Sequence, residues 1–119
     1  MNAVIDGDAA RARKLLEDGA DPDVVDKAGW SALHFAAKEC SQDLVKMLVE
    51  AGANLELRDR HGNTPLWRAT LNYKGGAEAI SSLLEAGADP DAENRNGISP
   101  RAMADIVANY DKAKFFKDY

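Results

Sequence analysis

The sequence predicts an all-α solenoid of about 3.5 stacked helix–turn–helix units, each ending in a protruding hairpin-like loop. Three observations predict it. The triplets Gly-Ala-Asp, Gly-Ala-Asn and Gly-Ala-Asp begin at Gly19, Gly52 and Gly87, 33 and 35 residues apart. A second marker, Asp26-x-x-Gly29, Asp59-x-x-Gly62 and Asn94-x-x-Gly97, keeps the same two spacings. A third, SALHFAA from Ser31, TPLWRAT from Thr64 and SPRAMAD from Ser99, follows in the same order. A fixed period of this length is the signature of a repeat architecture, in which each unit buries its apolar face only by stacking on a neighbour.

Each element of the unit has a physical cause. Thr64-Pro65 and Ser99-Pro100 open helices, because the hydroxyl accepts from orphan N–H groups and proline suits the first helical position. Ser31-Ala32 opens one without the proline. Leu33, Ala36 and Ala37 then share one helical face, and a helix of about eight to ten residues is expected. A second helix carries Leu44, Val45, Leu48 and Val49. Gly52 should end it in the left-handed conformation. The residues that follow are rich in Asp, Asn, Pro and Gly and predict an extended turn, with Asp21, Asp26, Asp59 and Asp89 accepting from nearby backbone N–H groups.

With these motifs in place, the chain resembles the ankyrin-repeat family over nearly its whole length. The expected units are an N-terminal cap over 1–25, full repeats over 26–58 and 59–93, and a C-terminal cap over 94–119, together one domain over 1–119. Arg11, Arg13, Lys14 and Glu17 are expected to solvate the first cap. Phe115 and Phe116 are expected to seal the last interface, with Lys112, Lys114 and Lys117 facing water. Two extra residues between Trp67 and Leu83 are placed in the loop around Gly75-Gly76.

Composition narrows the function. The chain has 119 residues, 45% hydrophobic and 29% charged, with a net charge of -5. That balance argues against nucleic acid, whose binding depends on neutralising phosphates. No apolar run approaches the roughly 20 residues that span a bilayer. The N-terminal residues lack the order of a signal peptide. The single cysteine, Cys40, cannot form an internal disulfide and points to a cytoplasmic setting. Gly75-Gly76 lacks the further glycines and the Lys-Ser/Thr of a phosphate loop. Two histidines and one cysteine are too few and too scattered for zinc. No enzyme activity, metal or cofactor is expected.

The resemblance implies binding of a protein partner through a concave face made of hairpin tips and inner helices. By position the tips carry Val25, Lys27, Ala28 and Trp30, then Arg58, Arg60, His61 and Asn63, then Glu93, Arg95, Asn96 and Ile98. At the far ends of the inner helices come Lys38 and Glu39, then Leu71, Asn72 and Tyr73. Lys27, Arg58, Arg60 and Arg95 form a basic ridge on an acidic chain, suited to an acidic partner surface. Trp30 is either an interface anchor or a packing residue on the adjacent hairpin. The resemblance also implies a structural role for His34, bonded to a neighbouring turn. Trp67, which replaces that histidine in the next repeat, is expected to pack between repeats. A monomer is expected in isolation.

The closing stretch NGISPRAMADIVANYDKAKFF is similar to the last repeat of small stand-alone bacterial ankyrin-repeat proteins, which implies a toxin-neutralising immunity or regulatory role. The alternative is an ankyrin block of a larger scaffold or targeting protein.

Overall fold

The computed structural model describes residues 14, 16–39, 41–71, 77–106, 116 and 119. Among these, five helices follow in order: α1 (Ala32–Lys38), α2 (Gln42–Glu50), α3 (Pro65–Leu71), α4 (Ala77–Glu85) and α5 (Pro100–Ile106). The architecture is all-α. Helices α1, α3 and α5 stack as an inner row, α2 and α4 pack together as an outer row, α1 leans on α2, and α3 leans on α4.

The caps form as the hydroxyls dictate. Ser31 Oγ accepts from the His34 N–H at 3.3 Å, Thr64 Oγ1 from that of Trp67 at 3.3 Å, and Ser99 Oγ from that of Ala102 at 3.1 Å. Such a cap is worth about 1 kcal/mol. The inner helices have seven residues each, shorter than expected. In the first of them Glu39 already occupies the C-cap, and Ser41 restarts the next helix as its N-cap.

The core lies between the two rows. Leu33, Leu44, Leu48, Leu66, Ile80, Leu83 and Leu84 form one buried cluster with Ala36, Ala69 and Ala79. Each large aliphatic side chain so buried contributes about 1.5–3 kcal/mol. The alanines let the inner helices approach closely. Phe116 joins the same cluster and is 1% exposed. Phe115 and the expected cap residues Arg11, Arg13, Lys112, Lys114 and Lys117 lie outside the described residues, as does the insertion around Gly75-Gly76.

The loops stack as regularly as the helices. Asp26 Oδ1 accepts from Ala28 and Trp30, Asp59 Oδ1 from His61 and Asn63, and Asn94 Oδ1 from Asn96 and Ile98. Successive tips are joined by one repeated bond: Arg60 N–H donates to the Ala28 carbonyl at 2.9 Å and Arg95 N–H to that of His61 at 3.1 Å. The hairpins are tied again at their bases, where Asn54 N–H donates to Asp23 and Asp89 N–H to Glu56. Gly62 has φ +81°, and a Cβ there would stand 2.9 Å from the Arg95 backbone nitrogen. The close approach of the tips therefore requires glycine at that position.

Candidate functional site: the hairpin tips and inner helices

His34 links the first tip region to the second. The Ser31 N–H donates to its Nδ1 at 3.1 Å, which leaves the ring proton on Nε2, and Nε2 donates to the Asn63 carbonyl at 2.8 Å. The side chain is wholly buried. Burial pushes its pKa down from the ordinary 6.5 and prevails over the Asn63 carbonyl and the Asp59 charge, which favour the protonated ring.

In the next repeat Trp67 stands at the corresponding position. It is 7% exposed and packs against Met103, Leu71 and Ile98, between repeats as expected. Its Nε1–H, however, is buried without an acceptor. A buried donor left unpaired costs about 1–3 kcal/mol, so the wider indole gains packing and forfeits the bond that His34 makes.

Beside it lies Arg68, which is absent from the expected site. Its Nε and Nη2 donate to Asp59 Oδ2 at 3.1 and 2.8 Å. The Asp59 side chain is fully buried and that of Arg68 is 17% exposed. Burial raises the Asp59 pKa, but the hydrogen bonds from Arg68, Asn63 and His61 outweigh it and hold the carboxyl below its ordinary 3.8. The Arg68 guanidinium carbon lies 4.5 Å from the Trp30 ring centre and 5.4 Å from that of Trp67. Trp30 in turn tilts against His34 and Phe35, with ring centres 5.7 and 5.0 Å away. Trp30 is thus half-buried against its own helix and under the next, rather than on the adjacent hairpin.

The expected site residues separate into three groups. Lys27, Arg60, His61, Arg95 and Asn96 are exposed on the tips, and Lys38 is exposed at the end of α1. Ala28, Trp30, Leu71 and Ile98 are half-buried. Asn63 corrects the expectation that it is displayed: it is 3% exposed, its carbonyl receives His34, and its Oδ1 accepts from Asn94 Nδ2 at 2.8 Å. Its polar groups are used inside the solenoid. Arg58 is exposed, but its Nη1 donates to the Glu93 carbonyl of the next hairpin. Asn72 and Tyr73, and likewise Cys40, fall outside the described residues.

Arg101 is a second residue that the repeat pattern conceals. It occupies the place of the core leucines Leu33 and Leu66. There it pairs with Asp91 at 2.8 Å and donates to the main-chain oxygens of Phe116 and Tyr119 at 2.9 and 2.6 Å.

Among the described residues no group of three or more His, Cys, Asp or Glu side chains is arranged to hold a metal ion, and no helix is long and apolar enough to cross a membrane. The fold and this surface define a helical repeat solenoid with hydrogen-bonded tips. The chain belongs to the ankyrin-repeat family: the model for ankyrin repeats (3 copies) matches residues 1–94. It is similar to the potassium channel AKT2/3 of Arabidopsis thaliana, with 38% identity over 58% of this chain and 9% of the channel. It is similar to the potassium channel GORK of the same plant, with 36% identity over 87% of this chain and 12% of the channel. An ankyrin repeat-containing protein of Schizosaccharomyces pombe is 37% identical over 55% of this chain and 31% of its own length. The chain therefore spans less than a third of each of these relatives. Ankyrin repeats as a class mediate protein–protein interaction and are typically non-catalytic.

Proposed function

We propose that this chain is a non-catalytic module that binds one protein partner through its hairpin tips and inner helices. The observation that carries the reading is the tip ladder. The repeated bonds from Arg60 to Ala28 and from Arg95 to His61 set Lys27, Arg60 and Arg95 at matching places on three consecutive tips. All three are exposed, and the ion pairs among the described residues, Arg68–Asp59 and Arg101–Asp91, involve none of them. A row of unpaired cations held by a rigid backbone ladder speeds and orients the approach of an acidic protein surface. His61 and Asn96 lie between the cations, and Ala28, Trp30, Leu71 and Ile98 supply apolar contact behind them. Asn72 and Tyr73, outside the described residues, are included in the proposed surface on their sequence register alone.

The narrower form of the proposal is neutralisation of a toxin by a cytoplasmic immunity protein that is monomeric on its own. It rests on the likeness of residues 96–116 to the closing repeat of small bacterial ankyrin-repeat proteins. A second reading, an ankyrin block of a scaffold or targeting protein, is favoured by the small share of each relative that the chain covers.

The test replaces Lys27, Arg60 and Arg95 together by Ala. Crosslinking capture from native cytosol should recover a protein with the unaltered chain and lose it with the variant. Raising the salt should release the captured protein from the unaltered chain. Recovery of the same protein by both chains, with the same salt response, would refute the basic row. A captured toxin, or the product of an adjacent gene, would favour the immunity role over the scaffold.

A further inference from the structure

We infer that the centre of this face is a carboxylate reader built on Arg68, and that it receives an acidic segment of the partner protein. The inference rests on the partner-binding reading above and adds the chemistry of the contact.

A guanidinium carries five N–H donors. Asp59 accepts two of those of Arg68, and the others meet no acceptor among the described residues. The indoles of Trp30 and Trp67 flank the group at 4.5 and 5.4 Å, which leaves its edge as the approach. The side chain is 17% exposed, so part of it is open to solvent. A planar fork presented edge-on matches the two oxygens of a carboxylate, and its hydrogen bonds strengthen in surroundings poor in water.

Asp59 offsets the charge of Arg68, so Arg68 supplies direction rather than net attraction. The attraction comes from Lys27, Arg60 and Arg95 on the tips. The chain as a whole is negative, at -5, but beyond about 8 Å its other charges are screened at physiological salt. The exposed charges of the tips themselves are the cations Lys27, Arg58, Arg60 and Arg95 and the carboxylates Asp26 and Glu93, so the cations outnumber the anions there. Helix register gives the site its selectivity. Phe35 and Met103 occupy the positions of Arg68 on the two neighbouring inner helices; Met103 is buried with Trp67, and Phe35 is half-buried. The segment that fits has an acidic residue with an apolar one on the Phe35 side.

Both tryptophans of the chain flank Arg68, so occupancy of this point has its own optical signal. The test titrates end-blocked hexaglutamate into the protein at low salt and follows tryptophan emission. A saturable change in emission is expected, with hexalysine silent. Arg68→Gln should weaken the binding about tenfold. Arg68→Lys, which keeps a cation beside Asp59 and so protects the fold, should weaken it less but measurably. Thermal melts of both variants check that they fold. Equal affinity in the unaltered chain and in both variants would overturn the inference, as would the absence of any emission change. Tighter binding of an oligothymidylate of equal charge would overturn it too, in favour of a phosphate reader. If the Arg68 variants bind hexaglutamate unchanged while the Lys27, Arg60, Arg95 triple variant loses it, the basic row stands and the Arg68 reader falls. If the triple variant also binds unchanged, both fall.

Discussion

His34 shows how much a single buried residue decides. It joins the cap of α1 to the backbone of the next hairpin, and it does so only as a neutral ring. Its folded pKa lies below the ordinary 6.5 because burial disfavours the charged form. The sign follows directly: above 6.5 folded and unfolded chains both hold it neutral and its contribution is complete. Below 6.5 the unfolded chain takes up a proton that the folded chain refuses, and stability falls with the pH. Urea melts from pH 7.5 to 5 should show this loss. His34→Gln should flatten the slope. Asp59 acts in the same sense but further into acid, below 3.8, where the carboxylate paired with Arg68 must be protonated on unfolding. In the second full repeat Trp67 stands where His34 does. With an indole at 67 and a guanidinium at 68, the contact there becomes a cation beside two aromatic rings, at the expense of the unpaired Trp67 N–H.

Among the elements, the hairpins contribute something the helices cannot. The helices are only seven or nine residues long, too short to persist alone in water. The loops between them are held by side chain-to-backbone bonds from Asp and Asn and by the tip ladder. Two glycines separate the local contribution from the stacked one. Gly52 has φ +85°, and a Cβ there would meet nothing within 4 Å. Gly52→Ala should cost about 1 kcal/mol, the strain of a left-handed alanine. Gly62 has nearly the same φ, but its Cβ would press on the backbone of the third tip. Gly62→Ala should therefore cost clearly more, and denaturant melts of the two variants give the comparison. Equal losses would mean that the tips are not in rigid contact.

At the scale of the whole molecule, a solenoid is a row of interfaces, and its ends must be closed differently from its middle. In the last described unit the middle pattern changes at Arg101. Where the inner units bury Leu33 and Leu66, this unit places a guanidinium that holds Asp91 and the main chain at Phe116 and Tyr119. Arg101→Ala should expose the C-terminal end to limited proteolysis well before the rest of the chain, with little change in the main melting transition. Protection equal to that of the unaltered chain would remove this role. The repeat period, the caps at Ser31, Thr64 and Ser99, the turn aspartates and the burial of Phe116 were all legible in the sequence. All but the last depend on local hydrogen bonding and on helical periodicity, which short stretches of chain specify; Phe116 is read from its register with the core residues of the full repeat. The candidate site was legible only in part. Lys27, Arg60 and Arg95 could be read from register, because the period carries each tip onto the next. Asn63 could not: its burial follows from His34 and Asn94, 29 and 31 residues away in sequence. Nothing in the local sequence separates Arg68 and Arg101 from other helix cations. The fold of its own repeat brought Arg68 to Asp59, stacking set it against Trp30 of the repeat before, and Arg101 found acceptors at Phe116 and Tyr119, 15 and 18 residues on. The sequence by itself determined the unit and its period. The tertiary structure decided which charges are used inside the solenoid and which remain for a partner, because that division depends on contacts between repeats.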